Sequence, residues 1–393
     1  MQNSPHKVLP KKKIIYISAN GYLGGAEKFV LEACIGHKKY GNYDPHVLFF
    51  NDGEAIKIFE KFNINFTILK QKFKLSKPLT LLKACYEIRK TFIKNNWDLY
   101  NATMAYPQFV MGLALMDLPV KKIWFQHGPV GNFYDLLASI FPYEFVIYNS
   151  RHTMEEHHKT VLFNPPKLGE KIISYGIPDR TDDNNLSETI RNKFLGDANK
   201  ILILMAGRIC EWKGYETAFY SLDKVFKKNP SLKNNIHLTL VGSPKTKKDF
   251  PYEKKLRDIT KELDLLKNIS FIPAQENIND YYLASDIFLH TSKIPEPFGL
   301  VLAEAMKQGI LVIGSSQGGT TEMLQDGVTG YSYDATNIKA SEELYKLLLK
   351  VISCHEEDSK YLEKIKSQGK SLINQKFSVK RMIIELEALY ESL

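Results

Sequence analysis

Glu296-Pro297-Phe298-Gly299-Leu300-Val301-Leu302-Ala303-Glu304 is the stretch around which the rest of the chain is ordered. A strand-like run, Ile287-Phe288-Leu289-His290, and a polar turn, Thr291-Ser292, precede it. Ala305-Met306-Lys307 continue its helical pattern until Gly309 stops it. The reading is strand, loop, helix. Pro297 restricts Glu296 to an extended conformation, which keeps Glu296 in the loop. A helix beginning near Phe298 or Gly299 leaves its first backbone N–H groups without intrahelical partners, and such an end attracts anions. Glu304 falls among Leu300, Val301 and Ala303 and is expected to be buried. A carboxylate in apolar company needs a hydrogen-bonding partner, which a ligand hydroxyl can supply.

Upstream, Ile201-Leu202-Ile203-Leu204-Met205 reads as a strand ending at Ala206-Gly207-Arg208-Ile209. Glu211-Trp212-Lys213-Gly214 follows, and then a helix from Tyr215 to Asn229. Arg208 and Lys213 therefore share one strand-end loop, where two cations suit a diphosphate whose charge grows as it departs. Downstream, the strand Leu311-Val312-Ile313-Gly314 leads to Gly318-Gly319-Thr320, a second candidate source of N–H groups for phosphate. Asp326 to Tyr331 reads as a turn and hairpin edge.

The first half has the same grammar. Lys13 to Ser18 is a strand, Asn20 to Gly25 a glycine-rich turn and Ala26 to Gly36 a helix. The turn does not match Gly-x-Gly-x-x-Gly, so no dinucleotide fingerprint is assigned. Gly24 and Gly25 permit close approach of a ligand to the backbone. Lys122 to Gln126 is a strand that ends at His127-Gly128-Pro129, and open α/β sheets carry their sites at such strand ends. Strands alternating with helices throughout predict mostly parallel sheets with helices on both faces. Residues 179 to 199 are polar, end in Asp197-Ala198-Asn199-Lys200, and read as the domain boundary.

The length, 393 residues, suggests two or three domains. Cys34, Cys85, Cys210 and Cys354 are too scattered for a zinc or disulfide framework, which fits a reducing, cytoplasmic setting. The polar, basic start does not read as a signal peptide, and no apolar run is long enough to span a membrane. The net charge is +9, and Lys57 to Lys94 holds ten Lys or Arg against two Glu with Phe and Leu interleaved. Such a stretch suits either a solvated basic face or the surface of an anionic membrane. No zinc-finger, homeodomain or RNA-binding signature is present, so nucleic acid is not an expected partner.

Two glutamates separated by seven residues, with Pro-Phe-Gly after the first, resemble the signature of the retaining nucleotide-sugar-dependent glycosyltransferases of the family 4 type. The resemblance is strong over about residues 200 to 335 and weaker over 14 to 180. It implies an α/β GT-B fold, two Rossmann-like domains facing across a cleft. Residues 1–180 would bind the acceptor, 181–375 the nucleotide sugar, and 376–393 would form a helix crossing back to the first domain. In such enzymes Arg208 and Lys213 would clamp the donor diphosphate, helped by the helix start at Phe298, Gly299 and Leu300. Glu296 would hold hydroxyls of the transferred sugar, and Glu304 those of the ribose. His127 would contact a sugar hydroxyl from the first domain, and Gly24, Gly25 and Glu27 fall on a loop that touches donor phosphates or acceptor. Relatives often carry Pro where this chain has Thr291, with no evident consequence.

The implied reaction moves a sugar from a UDP or GDP sugar to a hydroxyl of a glycan or lipid-linked acceptor, with retention. The setting is bacterial surface polysaccharide or lipopolysaccharide synthesis, at the cytoplasmic face of the inner membrane. No cofactor and no metal are expected, because no Asp-x-Asp motif sits at a strand end and Asp182-Asp183 lies in the linker-like stretch. Two alternatives remain: an epimerase of the same two-domain build, and a non-catalytic nucleotide-sugar-binding protein. The latter would keep Arg208, Lys213 and Glu304 without needing His127 or Glu296.

Overall fold

Ile14, Ile15, Tyr16 and Ile17 are wholly buried, as are Leu202, Ile203, Leu204 and Met205. Runs without polar alternation are what strands covered on both faces require. In the computed structural model, which describes residues 11–160, 163–180, 184–195, 200–357 and 359–393, each run is a central strand of a parallel sheet. The chain divides into two units: residues 1–178 with 377–393, and residues 179–376. The basic start to Pro10, Asp182-Asp183 and Asp197-Ala198-Asn199 lie outside the described residues.

In the first unit the elements run β1 (Lys12–Ser18), α1 (Gly25–Tyr40), β2 (Tyr43–Phe49), α2 (Ala55–Lys61), β3 (Asn65–Ile68), α3 (Pro78–Asn95) and β4 (Leu99–Thr103). They continue α4 (Ala105–Leu115), β5 (Lys121–Gln126), α5 (Phe133–Ala138), β6 (Phe145–Tyr148), α6 (Arg151–His158) and β7 (Gly169–Ile172). The sheet order is β3-β2-β1-β4-β5-β6-β7, all parallel, so the order reverses between β1 and β4. The apolar pair Ile172-Ile173 does not carry the last strand onward. β6 pairs with Gly169 to Ile172, which leaves Tyr175 in the loop beyond the strand end.

The second unit runs α7 (Asn184–Leu195), β8 (Ile201–Ala206), α8 (Glu216–Lys228), β9 (Ile236–Val241), α9 (Phe250–Glu262), β10 (Ile269–Ile272), α10 (Asn279–Ala284) and β11 (Ile287–His290). It ends with α11 (Leu300–Gln308), β12 (Leu311–Ser315), β13 (Tyr331–Tyr333), α12 (Ala340–Glu357) and α13 (Ser359–Lys376). Its sheet, β10-β9-β8-β11-β12-β13, reverses between β8 and β11. Two expectations are corrected. The polar 179–199 stretch is not all linker: Ile190 and Leu195 of α7 pack on Leu202 and Ala284, and Arg191 bonds the Ala284 and Lys200 carbonyls. The segment after Asp326 is not a hairpin edge, because β13 pairs with β12 in parallel.

The closing helix α14 (Val379–Ser392) belongs to the first unit. Its apolar stripe of Met382, Ile383, Leu386, Leu389 and Tyr390 is buried. The Glu387 carboxylate accepts from His37 of α1 at 2.7 Å, and Tyr390 Oη meets Tyr16 Oη at 3.1 Å and Asn101 Nδ2 at 3.0 Å. Buried hydrogen bonds of this kind fix which face of an otherwise interchangeable apolar helix docks. Among the described residues no helix is long and apolar enough to cross a membrane.

Candidate functional site

In the second unit the loops after β8 and β11 meet at Gly214. Gly214 has φ +62°, and a Cβ there would lie 2.5 Å from the Thr291 carbonyl, so only glycine lets the loops touch. Lys293 N–H donates to Trp212 O at 2.8 Å, and Thr291 Oγ1 donates to Lys213 O at 2.8 Å. Thr291 thus has a consequence that the sequence did not disclose: a proline there could not make this tie. The ties hold Lys213 beneath the opening of the Glu296 loop. Lys213 is nine-tenths buried, its Nζ pairs with Glu296 Oε1, and the ammonium lies 4.4 Å from the Trp212 ring centroid.

Glu296 is also buried, and its Oε1 accepts from three groups: Lys213 Nζ, His290 Nε2 at 2.9 Å and Ser292 Oγ at 2.7 Å. Burial alone would raise its pKa. The Lys213 charge and the His290 bond outweigh burial and hold the carboxyl far below the usual glutamate range. All three bonds fall on Oε1, so Oε2 has no partner among the described residues. The backbone here is braced as well. Gly319 N–H donates to Glu296 O at 2.7 Å, and a Cβ on Gly318 would lie 2.3 Å from that same oxygen. The Gly319 amide, read from sequence as a phosphate donor, is therefore already bonded to the Glu296 loop.

α11 starts at Leu300, with Gly299 at φ +92° as its cap and Phe298 buried behind it. The Leu302 and Ala303 amides donate back to Gly299 O. One turn on, Glu304 is buried as expected, and protein groups already partner it: Tyr282 Oη at 3.1 Å and Arg180 Nη2 at 3.5 Å. Arg208 is not in the Glu296 cluster. Its Nε and Nη2 form a fork on Asp249, at 2.9 Å and 3.1 Å, with Nη2 also on Thr246 Oγ1 at 3.2 Å. Burial raises the Asp249 carboxyl, but the Thr246 amide and Arg208 pull it below its ordinary value.

In the first unit His127 follows β5 and is buried against aromatic rings. Phe125 stacks on it with centroids 4.2 Å apart, and Phe29 lies at 5.0 Å. Burial pushes its pKa down to about 3, so the ring is neutral. A chain of hydrogen bonds selects the tautomer. Thr153 Oγ1 donates to Asn149 Oδ1 at 2.7 Å, which turns Asn149 Nδ2 towards Tyr175 Oη at 3.2 Å. Tyr175 Oη, already accepting from Asn149, lies 2.6 Å from His127 Nδ1, where its own O–H has an acceptor if the ring proton is on Nε2. With Nδ1 accepting, Nε2 carries the proton, and Nε2 is buried without a partner among the described residues. It is a donor held ready for an acceptor oxygen.

Gly24 and Gly25 open α1. Gly24 has ordinary extended backbone, and its N–H donates to Glu27 Oε2 at 3.1 Å, with Ser18 Oγ at 3.3 Å from Oε1. That amide is bonded within the loop, whereas a Cβ on Gly25 would meet open space. The sequence missed His290, Ser292, Asp249, Tyr282, Arg180, Tyr175 and Asn149. A signal existed for the first two and for Asn149, which stand at the carboxyl ends of strands. Tyr175 needed the true register of β7, and Arg180, Asp249 and Tyr282 needed tertiary structure. Among the described residues no group of three or more His, Cys, Asp or Glu side chains is placed to hold a metal ion.

The profile of the family described as Glycosyl transferases group 1 matches residues 187–370. The chain is 29% identical over 169 residues to the lipopolysaccharide 1,2-N-acetylglucosaminetransferase of Salmonella typhimurium, a match covering 42% of this chain and 43% of that protein. It is 25% identical over 391 residues to an uncharacterized glycosyltransferase of Haemophilus influenzae, covering 96% and 99% respectively. The crystal structure of Anabaena HepE with UDP and glucose superposes with a TM-score of 0.82 at 23% identity, over 97% of this chain and 100% of that one. That likeness shows the fold, the two-sheet GT-B architecture expected from the sequence. The match to the Salmonella enzyme spans less than half of that protein's length.

Proposed function

We propose that this chain is a glycosyltransferase, in keeping with the match of residues 187–370 to the group 1 glycosyl transferases, and that it moves a sugar from a nucleoside-diphosphate donor to an acceptor hydroxyl with retention of configuration. The observation that carries the reading is Glu296, ionised, with Oε1 held by Lys213, His290 and Ser292 and Oε2 open to a ligand. A buried carboxylate fixed through one oxygen can accept hydroxyls of a sugar through the other without reorganising. Lys213, and Arg208 on its Asp249 fork, supply the cations that a departing diphosphate needs. Glu304 and the start of α11 at Phe298, Gly299 and Leu300 suit the ribose and phosphate end. UDP is the favoured nucleotide, in keeping with the ligand of the Anabaena structure.

The bond from the anomeric carbon to the β-phosphate oxygen breaks, and Lys213 and Arg208 meet the charge that develops on the phosphate. The acceptor oxygen bonds to the anomeric carbon on the face just vacated, and its proton passes to the leaving phosphate. His127 donates from Nε2 to a sugar oxygen. Because the ring is neutral, it orients the sugar without adding a positive charge. In this reading the first unit, with Gly24 and Gly25, serves the acceptor, and the second serves the donor.

The acceptor is a glycan or lipid-linked saccharide of bacterial surface polysaccharide or lipopolysaccharide synthesis, in keeping with the printed activity of the Salmonella relative. An anionic membrane surface as partner, at the cytoplasmic face, has support in α3. Leu79, Leu82, Tyr86 and Ile93 are each more than half exposed and fall on one stripe, with exposed Lys83, Lys90 and Lys94 beside them. Leu82→Glu with Tyr86→Glu should abolish flotation with anionic vesicles; unchanged flotation contradicts the surface. The transferase itself is tested with UDP-, GDP- and ADP-sugars, each assayed for nucleoside diphosphate release with and without pooled lipid-linked acceptors. One donor turned over faster with acceptor supports it. A changed sugar without release points to an epimerase, and binding without any release to a non-catalytic protein.

A further inference from the structure

A groove of about 670 Å³ opens in the first unit where the strand order reverses, between the ends of β1 and β4. Open parallel sheets bind ligands in such crevices. Its wall is aromatic. Phe73 and Tyr106 lie nearly parallel, 13° apart with centroids at 6.2 Å, and Tyr134 meets Tyr106 edge-on at 5.6 Å. Buried Phe50 packs edge-on behind both Phe73 and Tyr106, so the wall is braced from the core. Phe133 and Tyr134 at the mouth are exposed.

The lining is also polar in part: Asn20, Asn51 and Glu27 contribute to it. A groove lined by rings together with amides and a carboxylate suits a saccharide, whose C–H faces stack on rings while its hydroxyls bond polar groups; an acyl chain would leave those groups unsatisfied. Met104, which also lines the groove, has φ +78° and ψ 166°, a backbone conformation that a residue with a side chain rarely adopts. Strain of this kind clusters where ligands are held.

The fourth feature is charge. Lys74 lines the groove on a loop in which Phe73 and Leu75 pack inward on the core and the lysines point out. Glu87 of α3 accepts from the Lys70 and Gln71 amides at 2.9 Å each and pins that loop. Neither Lys72, Lys74 nor Lys77 has an acidic partner among the described residues. We propose that this groove is the acceptor site and that its occupant is an acidic saccharide, a sugar stacked on Tyr106 and Tyr134 with a carboxylate or phosphate at Lys74. The proposal rests on the transferase reading for the word acceptor and on the groove alone for the ligand class.

The test is direct binding to the full-length chain by saturation-transfer NMR and calorimetry, which needs no turnover. The probes are methyl glucoside, methyl glucuronide, methyl glucoside 6-phosphate and inorganic phosphate. At least one acidic glycoside should bind about fivefold tighter than the neutral one, as expected of one exposed charge pair. Which of the two binds tighter separates a carboxylate from a phosphate. Lys74→Ala should remove the difference, and Tyr134→Ala, at an exposed position, should weaken all three sugars. Equal binding of neutral and acidic glycosides overturns the proposal. So does inorganic phosphate binding as well as the phosphosugar, or sugar binding that Tyr134→Ala leaves unchanged. Donor turnover, assayed separately, decides the transferase reading whatever the groove binds.

Discussion

Glu296 and His127 each lie past the carboxyl end of a strand of a parallel sheet and each is buried, yet their surroundings hold one ionised and the other neutral. Glu296 sits among one ammonium and two further donors, all on the same oxygen. His127 sits among Phe125, Phe29 and Tyr175, and burial there disfavours its ionised form. The second unit is built to handle charge; the first offers a neutral hydrogen-bond donor. The architecture is shared, and the residues within a few ångströms of each strand end decide what chemistry it supports.

The strongest way to break this contrast is Glu296→Ala. It leaves Lys213 buried without its counter-ion, and breaking a buried pair costs about 3–5 kcal/mol. Chemical denaturation should show a loss of that size, and turnover should fall on the order of 10²–10³-fold. Near-wild-type stability would mean that the pair is not the keystone of its loop.

Next comes acid. The folded His127 stays neutral down to about pH 3, while in the unfolded chain it protonates near its ordinary 6.5. The unfolded state therefore binds the extra proton across that window, and stability falls as pH drops, by up to about 1.4 kcal/mol per pH unit. Glu296 acts in a different window. Its depressed pKa stabilises fully above the ordinary glutamate value of 4.5 and is lost only below it. His127→Gln should flatten the slope of stability between pH 6.5 and 4.5, with the remainder coming from histidines such as His157, pushed down to about 4 by burial. An unchanged slope would contradict a neutral His127.

A smaller effect sharpens the first-unit side. Tyr175→Phe removes the O–H that fixes His127 as an Nε2 donor. Turnover should fall about tenfold, roughly the worth of one hydrogen bond to a reacting ligand, and imidazole ¹⁵N shifts should report a mixed tautomer. Unaltered shifts would show that the ring does not depend on Tyr175. Smallest is Thr291→Val, which should cost about 1 kcal/mol by removing the bond to Lys213 O.

The architecture was legible in sequence because buried parallel strands leave uninterrupted apolar runs such as Ile201 to Met205, and because Glu296, Pro297 and Gly299 mark a strand-loop-helix corner on their own. α7 was not legible as a helix, since its apolar residues are sparse among charges and their partners, Leu202 and Ala284, come from elsewhere in the chain. The Asp249 fork on Arg208 and the Tyr282 and Arg180 contacts to Glu304 are likewise long-range facts that no local pattern carries. Ile172-Ile173 reads as a continuous apolar run, but pairing with β6 ends at Ile172, and the loop that follows carries the Tyr175 hydroxyl to His127.

The most direct test of the central claim, that a cation-held carboxylate in the second unit handles a nucleotide sugar, is UDP-sugar turnover by Lys213→Ala and Glu296→Gln beside the wild-type chain, with UDP affinity measured on the same samples. Turnover should fall by about 10²-fold or more in both variants, with UDP affinity weakened in Lys213→Ala and largely kept in Glu296→Gln. Folded variants that both turn over the donor at the wild-type rate would contradict it.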